Sequence, residues 1–440
     1  MILSAAPAIP PGTLLERSQS LFGLLSFILI CFIIGRLRGV RSFPVRVVVW
    51  GVILQFAFGA VVVFSPDVLR VVQDNIERLL GYSNAGARLI FGSLVDWVAP
   101  VKSDDGKTVG IVTLAASFAF SVLPTIVFVS MLTAILYHVG VLTWVVHGLA
   151  WIMRRTMGCS GAETLSTAAN IFVGQTEAPL IVRPFLAGAT RSEMMAIMVG
   201  GFANIATGVL VVYTDLLKDH VQNVGGHLAA ACFISAPATL LVSKLIMPER
   251  ETPQTVGGAA IKVERADANL IDAATRGTSE GVTLAINVGA MLIAFTALIA
   301  LINSVIGSVG GWVGMPGVSL ERMLGVIASP LAWLCGIPWA DSHTVGGLIG
   351  MKTVLNEFIA YNEMGQQFRT NAAYLSPRSA LIATYALCGF ANFASVGIQI
   401  GGISVLAPSR RSELSRIGLL AMAGGAIASM MGACVVGVLI

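Results

Sequence analysis

Three polar side chains stand next to one another in an otherwise apolar stretch of this chain: Gln175, Thr176 and Glu177. The surrounding residues 170–179 read NIFVGQTEAP, so the amide of Asn170 belongs to the same stretch. A carboxylate accepts hydrogen bonds from hydroxyl groups, whereas Gln and Thr side chains both donate and accept them. A glycine and a proline bracket the three residues, which disfavours an unbroken helix there. The stretch therefore predicts a polar binding tip at a break between helices.

A second polar pair, Asn356 and Glu357, lies in another apolar region that glycines and prolines interrupt, residues 323–367. The sequence GFAN occurs twice, at residues 201–204 and 389–392, and each copy follows one of the glutamate-bearing stretches. A four-residue match can arise by chance in a chain rich in alanine and glycine. The shared glutamate context favours a true repeat, and we predict two related units with polar tips.

The composition indicates a membrane protein. Of the 440 residues, 56% are hydrophobic and 11% are charged, whereas soluble domains carry roughly 25% charged residues. The formal net charge of +4 is too small to indicate a nucleic-acid partner, and no basic run supports one. The six cysteines are scattered singly, which predicts packing thiols rather than disulfides or a metal site. We expect no removable signal peptide, and the first apolar run should stay as an anchor.

The apolar runs predict an all-α polytopic membrane protein with about eight transmembrane helices. The predicted spans cover residues 21–35, 47–64, 109–137, 194–214, 221–242, 282 onwards, 380–405 and 417–440. Span six should end among the glycines of residues 307–317. The two polar regions are predicted to form re-entrant helical hairpins. Amphipathic segments at residues 67–82 and 268–274 predict interfacial helices.

This pattern divides the chain into four segments. Residues 1–105 hold the N-terminal spans and an interfacial helix as a scaffold, and residues 106–247 hold the first repeat, with hairpin 1 and span four. Residues 248–281 form a polar linker with an interfacial helix, and residues 282–440 hold the second repeat, with hairpin 2 and spans seven and eight. The arginine-rich loops predict that both chain ends lie outside. The two repeats are then inverted, which is the architecture of secondary transporters.

The polar tips also carry a family resemblance. The segment GQTEAP at residues 174–179, followed by RPF at 183–185, resembles the first hairpin of the concentrative nucleoside transporters. The segment NEF at 356–358 resembles that family's second hairpin, and residues 385–402, which contain CGFAN, are similar to its seventh span. The resemblance extends from about residue 91 to the C-terminus. It implies a bacterial-type, eight-span homotrimer of the inner or plasma membrane, in which each protomer imports a nucleoside with a cation.

The resemblance also implies which residues bind the substrate. Four residues would line the side of the nucleobase: Gln175, Thr176, Glu177 and Val209. The ribose would be held by Glu357, Asn392 and Ser395. Phe390 would lie against the substrate. The chemistry agrees, because an ionised carboxylate accepts two hydroxyl donors, and Gln and Thr match the mixed edge of a base.

The resemblance further implies a sodium site made by Asn170, Val173, Asn204 and Ile205, the second and fourth through backbone carbonyls. Sodium is a hard cation and prefers oxygen ligands of this kind. The family pattern has a serine where Asn204 stands, although the Asn side chain still offers a carbonyl oxygen. Sodium is therefore the favoured coupling ion, with no cofactor expected, and a proton-coupled nucleoside carrier is the alternative.

Simpler roles stay open for these residues at the level of the sequence. Glu177 could cap a helix or pair with Arg183, and Glu357 could pair with Lys352. Contacts between helices or plain packing would account for three further residues, Asn392, Ser395 and Phe390. The five histidines show no ligand spacing and are interpreted as structural.

The predicted function is a secondary active transporter that imports nucleosides by cation symport, with alternating access around a site near the membrane midplane. A channel is a rival, because polar hairpin tips also line pores. Two inverted tips that converge on one site favour a carrier. An enzyme is not expected. Glu177 and Glu357 could form an acid–base pair, but no nucleophile, metal cluster or cofactor motif accompanies them.

Overall fold

The computed structural model describes residues 12–40, 42–95, 98–102, 108–113, 118–255, 267–312, 314 and 317–440. Within these residues the chain forms eighteen α-helices, two 3-10 turns and one two-stranded ribbon. The fold is therefore almost entirely helical, and the predicted fold class is confirmed.

The N-terminal segment contains three helices and the ribbon. The helices are α1 (Leu14–Leu37), α2 (Val45–Phe64) and α3 (Pro66–Phe91), and the turn Gly92–Leu94 follows them. Strands β1 (Val98–Lys102) and β2 (Thr108–Thr113) pair antiparallel, with Val98 opposite Thr113. The segment predicted as an interfacial helix, residues 67–82, lies inside the longer amphipathic helix α3.

The middle of the chain contains eight helices, in the order α4 (Phe118–Val139), α5 (Val141–Met157), α6 (Gly161–Ala169), α7 (Ala178–Ile181), α8 (Arg183–Leu186), α9 (Arg191–Ala203), α10 (Thr207–Leu217) and α11 (Val224–Ile246). Helices α4 and α5 meet at a bend of 73°. Hairpin 1 comprises α6 to α8, and its polar tip lies between α6 and α7.

The C-terminal part contains seven helices, in the order α12 (Leu270–Trp312), α13 (Leu320–Leu334), α14 (Trp339–Val354), α15 (Glu357–Thr370), α16 (Pro377–Leu387), α17 (Phe393–Leu406) and α18 (Arg411–Leu439). Helices α13 and α14 meet at 116°. The polar tip of hairpin 2 lies between α14 and α15, and the turn Pro408–Arg410 precedes α18.

Six helical segments are long and apolar enough to cross a membrane, and there are eight if each bent pair is one span, counted over the described residues. The segments Arg191–Leu217 and Val224–Ile246 have 89% of their most apolar window buried, whereas α12 has 12%. Apolar side chains that a helix exposes in this density need lipid or another apolar surface beside them. The hairpins and α9 to α11 therefore form the buried centre, and α12 lies at the periphery.

Two predicted boundaries are wrong. Span three does not begin at residue 109, because residues 109–113 belong to β2 and the helix starts at Phe118; residues 114–117 lie outside the described part. Span six and the predicted interfacial helix at 268–274 are one helix, α12, whose described end at Trp312 lies among the glycines of 307–317, as predicted for span six. The predicted start of span six near residue 282 is wrong, because α12 begins at Leu270. Its early start has a local cause, since Asn269 Oδ1 accepts backbone hydrogen bonds in its first turn. The linker residues 256–266 lie outside the described residues.

Spans four and seven are also not continuous helices. Both are interrupted at their GFAN copies, between α9 and α10 and between α16 and α17. The two breaks touch, because the backbone N–H of Phe390 donates to the carbonyl of Asn204 at 3.3 Å. Gly389 has φ +143°, and a Cβ there would lie 2.8 Å from the carbonyl oxygen of Phe202. A glycine is therefore required where the breaks cross.

A buried ion pair anchors the base of hairpin 1. Lys244, near the end of α11, lies 2.6 Å from Glu163 on α6 and donates to Ser192 Oγ on α9 at 2.8 Å. Glu163 also forms a capping box with Ser160 at the start of α6. Buried charges are tolerated when they are paired and hydrogen-bonded in this way. Three helices are thus tied together at one point below the tip.

Candidate functional site

Glu357 is the first residue of α15, and its carboxylate accepts two side-chain hydrogen bonds. The Tyr213 hydroxyl donates to Oε1 at 2.9 Å, and Asn392 Nδ2 donates to Oε2 at 3.1 Å. Asn356 caps the helix by accepting from the Ile359 N–H at 2.9 Å. A helix N-terminus also favours a negative charge. The carboxylate is therefore held by partners from α10 and from the break in span seven.

Asn392 and Ser395 lie at the start of α17 and connect the two tips. Asn392 Oδ1 accepts from the backbone N–H of Ser395 at 2.8 Å, which caps α17 and leaves Nδ2 free to reach Glu357. Gln175 Nε2 donates to Ser395 Oγ at 3.3 Å. A continuous chain of contacts thus runs from the tip of hairpin 1 to the tip of hairpin 2.

The tip of hairpin 1 is a tight turn that Glu177 closes. The backbone N–H of Gly174 donates to the Glu177 carboxylate, and the Thr176 hydroxyl lies 3.5 Å from it. Within the described part of the chain, Glu177 forms no ion pair with Arg183. The carboxylate is exposed toward the cavity described next, so it keeps acceptor capacity for a ligand.

One cavity of about 1270 Å³ connects these groups. All eight residues predicted to contact substrate line it: Gln175, Thr176, Glu177, Val209, Glu357, Phe390, Asn392 and Ser395. Sites for small molecules usually measure roughly 300–1,000 Å³. The cavity is therefore larger than one small ligand would fill.

Another part of the cavity lining comes from α4, from α12 and from Asp267, and it includes charged side chains. Arg276 donates to both carboxylate oxygens of Asp267, at 2.6 Å and 2.9 Å, and to Glu280 at 2.8 Å. These hydrogen bonds from the guanidinium hold the pKa of Asp267 below its usual range. This part of the cavity lining therefore carries paired charges, which suit a polar solute.

Lys352 lies near the second tip without pairing with its carboxylate. Its ammonium donates to the carbonyl oxygen of Ala386 at 3.0 Å. No ion pair with Glu357 forms within 4.0 Å among the described residues. The simpler role of Glu357 as a partner of Lys352 is therefore not supported. Asn392 does make a contact between helices, since it joins the start of α17 to α15, and it also lines the cavity.

The predicted sodium ligands lie at two adjoining breaks. Asn170 ends α6 and Asn204 ends α9, and both side chains are buried. The breaks meet where the Thr207 hydroxyl donates to the carbonyl oxygen of Phe172 at 2.8 Å. A Cβ built on Gly200 of α9 would lie 3.2 Å from Asn170 Nδ2, so hairpin 1 packs directly on span four. The structure thus brings the two asparagines to one region.

The remaining predicted ligands belong to the same breaks, since Val173 lies in the tip of hairpin 1 and Ile205 lies between α9 and α10. Backbone that is not helical leaves carbonyl oxygens free for a ligand. Asn204 Oδ1 accepts from Ser235, and Asn204 Nδ2 is buried with no hydrogen-bond partner among the described residues. The donor set of amides and unwound carbonyls fits a hard monovalent cation.

The sequence prediction omits Tyr213. Its ring is fully buried and stacks on Tyr361, with ring centroids 4.3 Å apart, and its hydroxyl reaches Glu357. Tyr213 follows Val209 by one helical turn on α10, so the two side chains share a face. A polar aromatic residue one turn from a predicted contact is the signal that could have identified it.

Known proteins resemble this chain over nearly its whole length. Three family models match it: Na+ dependent nucleoside transporter N-terminus over residues 22–94, Nucleoside recognition over 119–219, and Na+ dependent nucleoside transporter C-terminus over 227–437. An uncharacterized transporter of Bacillus subtilis (strain 168) is 40% identical over 425 residues, which are 96% of this chain and 98% of that protein. This chain belongs to the Na+-dependent nucleoside transporter family. The family predicted from the polar tips is confirmed.

Other relatives of this transporter are named for nucleosides or solved in several states. Sodium/nucleoside cotransporter 1 of Mus musculus is 38% identical over 439 residues, covering 96% of this chain and 64% of that longer protein. CNTnw in an inward-facing substrate-bound state is 38% identical with a TM-score of 0.85, covering 96% of this chain and 98% of that one. A CNTnw variant in an outward-facing state is also 38% identical, with a TM-score of 0.84 and coverage of 96% and 97%. The fold is thus similar to structures in an inward-facing state and in an outward-facing state.

Proposed function

We propose that this protein imports nucleosides by sodium symport, with alternating access around the cavity. The observation that carries the proposal is the chain of contacts from Gln175 through Ser395 and Asn392 to Glu357, which joins both polar tips at one cavity. The matching families and relatives are nucleoside transporters, which supports this substrate class and a transporter rather than an enzyme.

We assign the ribose to Glu357. An ionised carboxylate has about four lone-pair sites, and Tyr213 and Asn392 occupy two of them. The sites that are left match two sugar hydroxyls, and each charge-assisted hydrogen bond contributes about 1.5–3 kcal/mol. Ser395 and Phe390 line the cavity beside this carboxylate and complete the ribose side.

We assign the nucleobase to the tip of hairpin 1, with Gln175, Thr176, Glu177 and Val209. Gln175 Nε2 is engaged by Ser395, whereas Gln175 Oε1 is buried with no partner among the described residues. A buried acceptor that lacks a donor costs about 1–3 kcal/mol. A donor on the edge of the base would remove this cost, so the tip should bind a base more tightly than an apolar group.

We assign the coupling ion to the adjoining breaks, where Asn170, Val173, Asn204 and Ile205 would supply oxygen ligands. The names of the matching families support sodium. Asn204 and the break in span four touch Phe390 in span seven, so ion and substrate would be bound by neighbouring segments.

We further propose a homotrimer in the inner or plasma membrane. The peripheral helices support an apolar surrounding, because 12% of the most apolar window of α12 is buried within one chain. A surface of this kind is stable against lipid or against a second copy.

The test is uptake of labelled uridine and adenosine into proteoliposomes, with sodium and proton gradients imposed separately. We expect a sodium gradient alone to drive accumulation above equilibrium, and Glu357→Gln to reduce it. Glu363→Gln is the matched control, since Glu363 lies on α15 and bonds Gln367 instead of facing the cavity. Uptake that ignores sodium and follows a pH gradient would establish proton coupling. Flux without accumulation would rule out symport and leave a channel or an uncoupled carrier.

A further inference from the structure

Ser235 on α11 contacts Asn204, one of the proposed ion ligands. Its Oγ is 2.5 Å from Asn204 Oδ1 and 2.9 Å from the carbonyl oxygen of Cys232 on its own helix. A hydroxyl has one proton, so it can donate to one of these two acceptors at a time. Ser235 and Asn204 are both buried, so bulk water does not compete for this contact.

The Asn204 amide can form two hydrogen-bonding arrangements with Ser235, which differ in whether Oδ1 or Nδ2 contacts the hydroxyl. When Ser235 donates to Oδ1, Asn204 Nδ2 is left buried without a partner among the described residues. A half-turn of the amide lets Nδ2 donate to Ser235 Oγ, while the hydroxyl proton moves to the Cys232 carbonyl. Oδ1 then occupies the place of the unpaired Nδ2. In this second arrangement Ser235 accepts from Nδ2 and donates to the Cys232 carbonyl at the same time, so it makes one hydrogen bond more than in the first.

We propose that Ser235 is a positioning residue for the coupling ion, which stabilises the Asn204 amide with its carbonyl oxygen turned toward the bound cation. The inference rests on the proposed sodium site. An asparagine differs from a serine at this position, because its amide has an oxygen that can bind a cation and an NH₂ group that cannot. A neighbouring side chain must therefore set the orientation of the amide.

The packing of α11 supports a fixed position for this hydroxyl. Thr239 lies one turn beyond Ser235, and its Cγ2 would be 3.5 Å from a Cβ placed on Gly200, where Asn170 Nδ2 would be at 3.2 Å. Helix α11 therefore contacts Asn204 through Ser235, and Thr239 lies near the point where Asn170 packs on Gly200.

The experiment compares Ser235→Ala and Ser235→Thr with the wild type. Ser243→Ala is the matched control, because Ser243 is buried on the same helix and bonds Leu240 O at 3.0 Å with the same three-residue spacing. The first readout is the sodium concentration that gives half-maximal thermal stabilisation of the purified protein, taken relative to each variant's own sodium-free melting temperature. The second is the sodium concentration for half-maximal nucleoside uptake. We expect Ser235→Ala to raise both about tenfold, because the arrangement with Oδ1 toward the cation loses two hydrogen bonds to Ser235 whereas the opposite arrangement loses one.

Three further measurements separate positioning from a general loss of structure. Ser235→Thr and Ser243→Ala should keep the sodium requirement of the wild type, and nucleoside affinity at saturating sodium should change little in Ser235→Ala. In an Asn204→Ser background, Ser235→Ala should have a much smaller effect, because a hydroxyl has no wrong end. A sodium-dependent wild type with an unchanged Ser235→Ala, or equal shifts in Ser243→Ala, would overturn this inference alone. A wild type that is neither stabilised nor driven by sodium would overturn the proposed coupling as well.

Discussion

Replacing Glu357 by Gln removes a charge from the site while keeping its shape. The carboxylate accepts from Tyr213 at 2.9 Å and from Asn392 at 3.1 Å. A Gln side chain can keep both contacts, since its Oε1 accepts from Asn392 and its Nε2 donates to the Tyr213 hydroxyl, which can turn to accept. We therefore expect Glu357→Gln to fold normally and to report on the substrate alone.

The expected loss is the charge assistance toward the sugar. A hydrogen bond to a charged group contributes about 1.5–3 kcal/mol and a neutral one about 0.5–1.5 kcal/mol. The difference of about 1 to 1.5 kcal/mol per hydroxyl is about tenfold in affinity, and about a hundredfold for a nucleoside that uses two hydroxyls. For an analogue that lacks one of them, Glu357→Gln should cost about tenfold only.

The assay is competition against labelled uridine at saturating sodium, with two proteins and two ligands in a double cycle. Equal losses for the nucleoside and its deoxy analogue would mean that Glu357 does not touch that hydroxyl, and the ribose assignment would be wrong. The free base should bind poorly to both proteins. Gln175→Ala should instead change the ranking of purine and pyrimidine nucleosides and leave the sugar discrimination intact.

Three other perturbations follow from the structure. Asn170→Ala should raise the sodium concentration for half-maximal uptake about tenfold, and an unchanged requirement would remove Asn170 from the ion site. Gly389→Ala should lower the stability of the fold by about 1–3 kcal/mol, because of backbone strain and contact with the crossing break. Gly397→Ala is the control, since a Cβ at Gly397 meets nothing within 4 Å. Size-exclusion profiles of the two variants test this prediction, and equal profiles would refute it. In a background without native cysteines, the exposed positions Arg155→Cys and Arg411→Cys should react with impermeant reagents from the cytoplasm. Labelling from outside would reverse the predicted topology.

The two polar tips could be located from the sequence because their signals are local. Glycine, proline and clustered polar residues within an apolar run mark a break wherever the chain folds. The substrate residues came from the family resemblance that these tips and the CGFAN segment carry, and the structure gathers all eight around one cavity. Their binding roles stay predictions, as do the inverted topology and the segment boundaries.

The breaks in spans four and seven could not be found in this way. Between Ala203 and Thr207, and between Leu387 and Phe393, the chain has no proline and stays apolar enough to read as one span. The helices end there because the segments find partners in each other, such as the bond from Phe390 N to Asn204 O. Such a partner lies far away in the sequence, so a single segment carries no sign of it.

Tyr213 and Ser235 were missed for the same reason. Each is an ordinary residue of an apolar helix, and its role depends on a distant side chain, Glu357 or Asn204. Membrane helices commonly use serine for contacts with other helices, and a buried tyrosine usually has a hydrogen-bond partner. The residue type alone therefore could not separate these positions from structural ones. For Tyr213 the spacing from Val209 was the one available signal, and for Ser235 only the contact in three dimensions shows it.

The crossing of the two breaks places the ion side and the ribose side on one short path. Asn204 offers its side chain to the proposed ion site, and its backbone carbonyl accepts from the N–H of Phe390 at 3.3 Å. The N–H of Asn392 donates to the Phe390 carbonyl at 2.9 Å, and its side chain reaches Glu357. An ion that orders the backbone at Asn204 therefore also orders the segment that presents Asn392. Linkage then requires sodium to raise nucleoside affinity by the factor by which the nucleoside raises sodium affinity. In the proposed arrangement sodium and nucleoside need not touch, because the crossing breaks would carry the coupling between them.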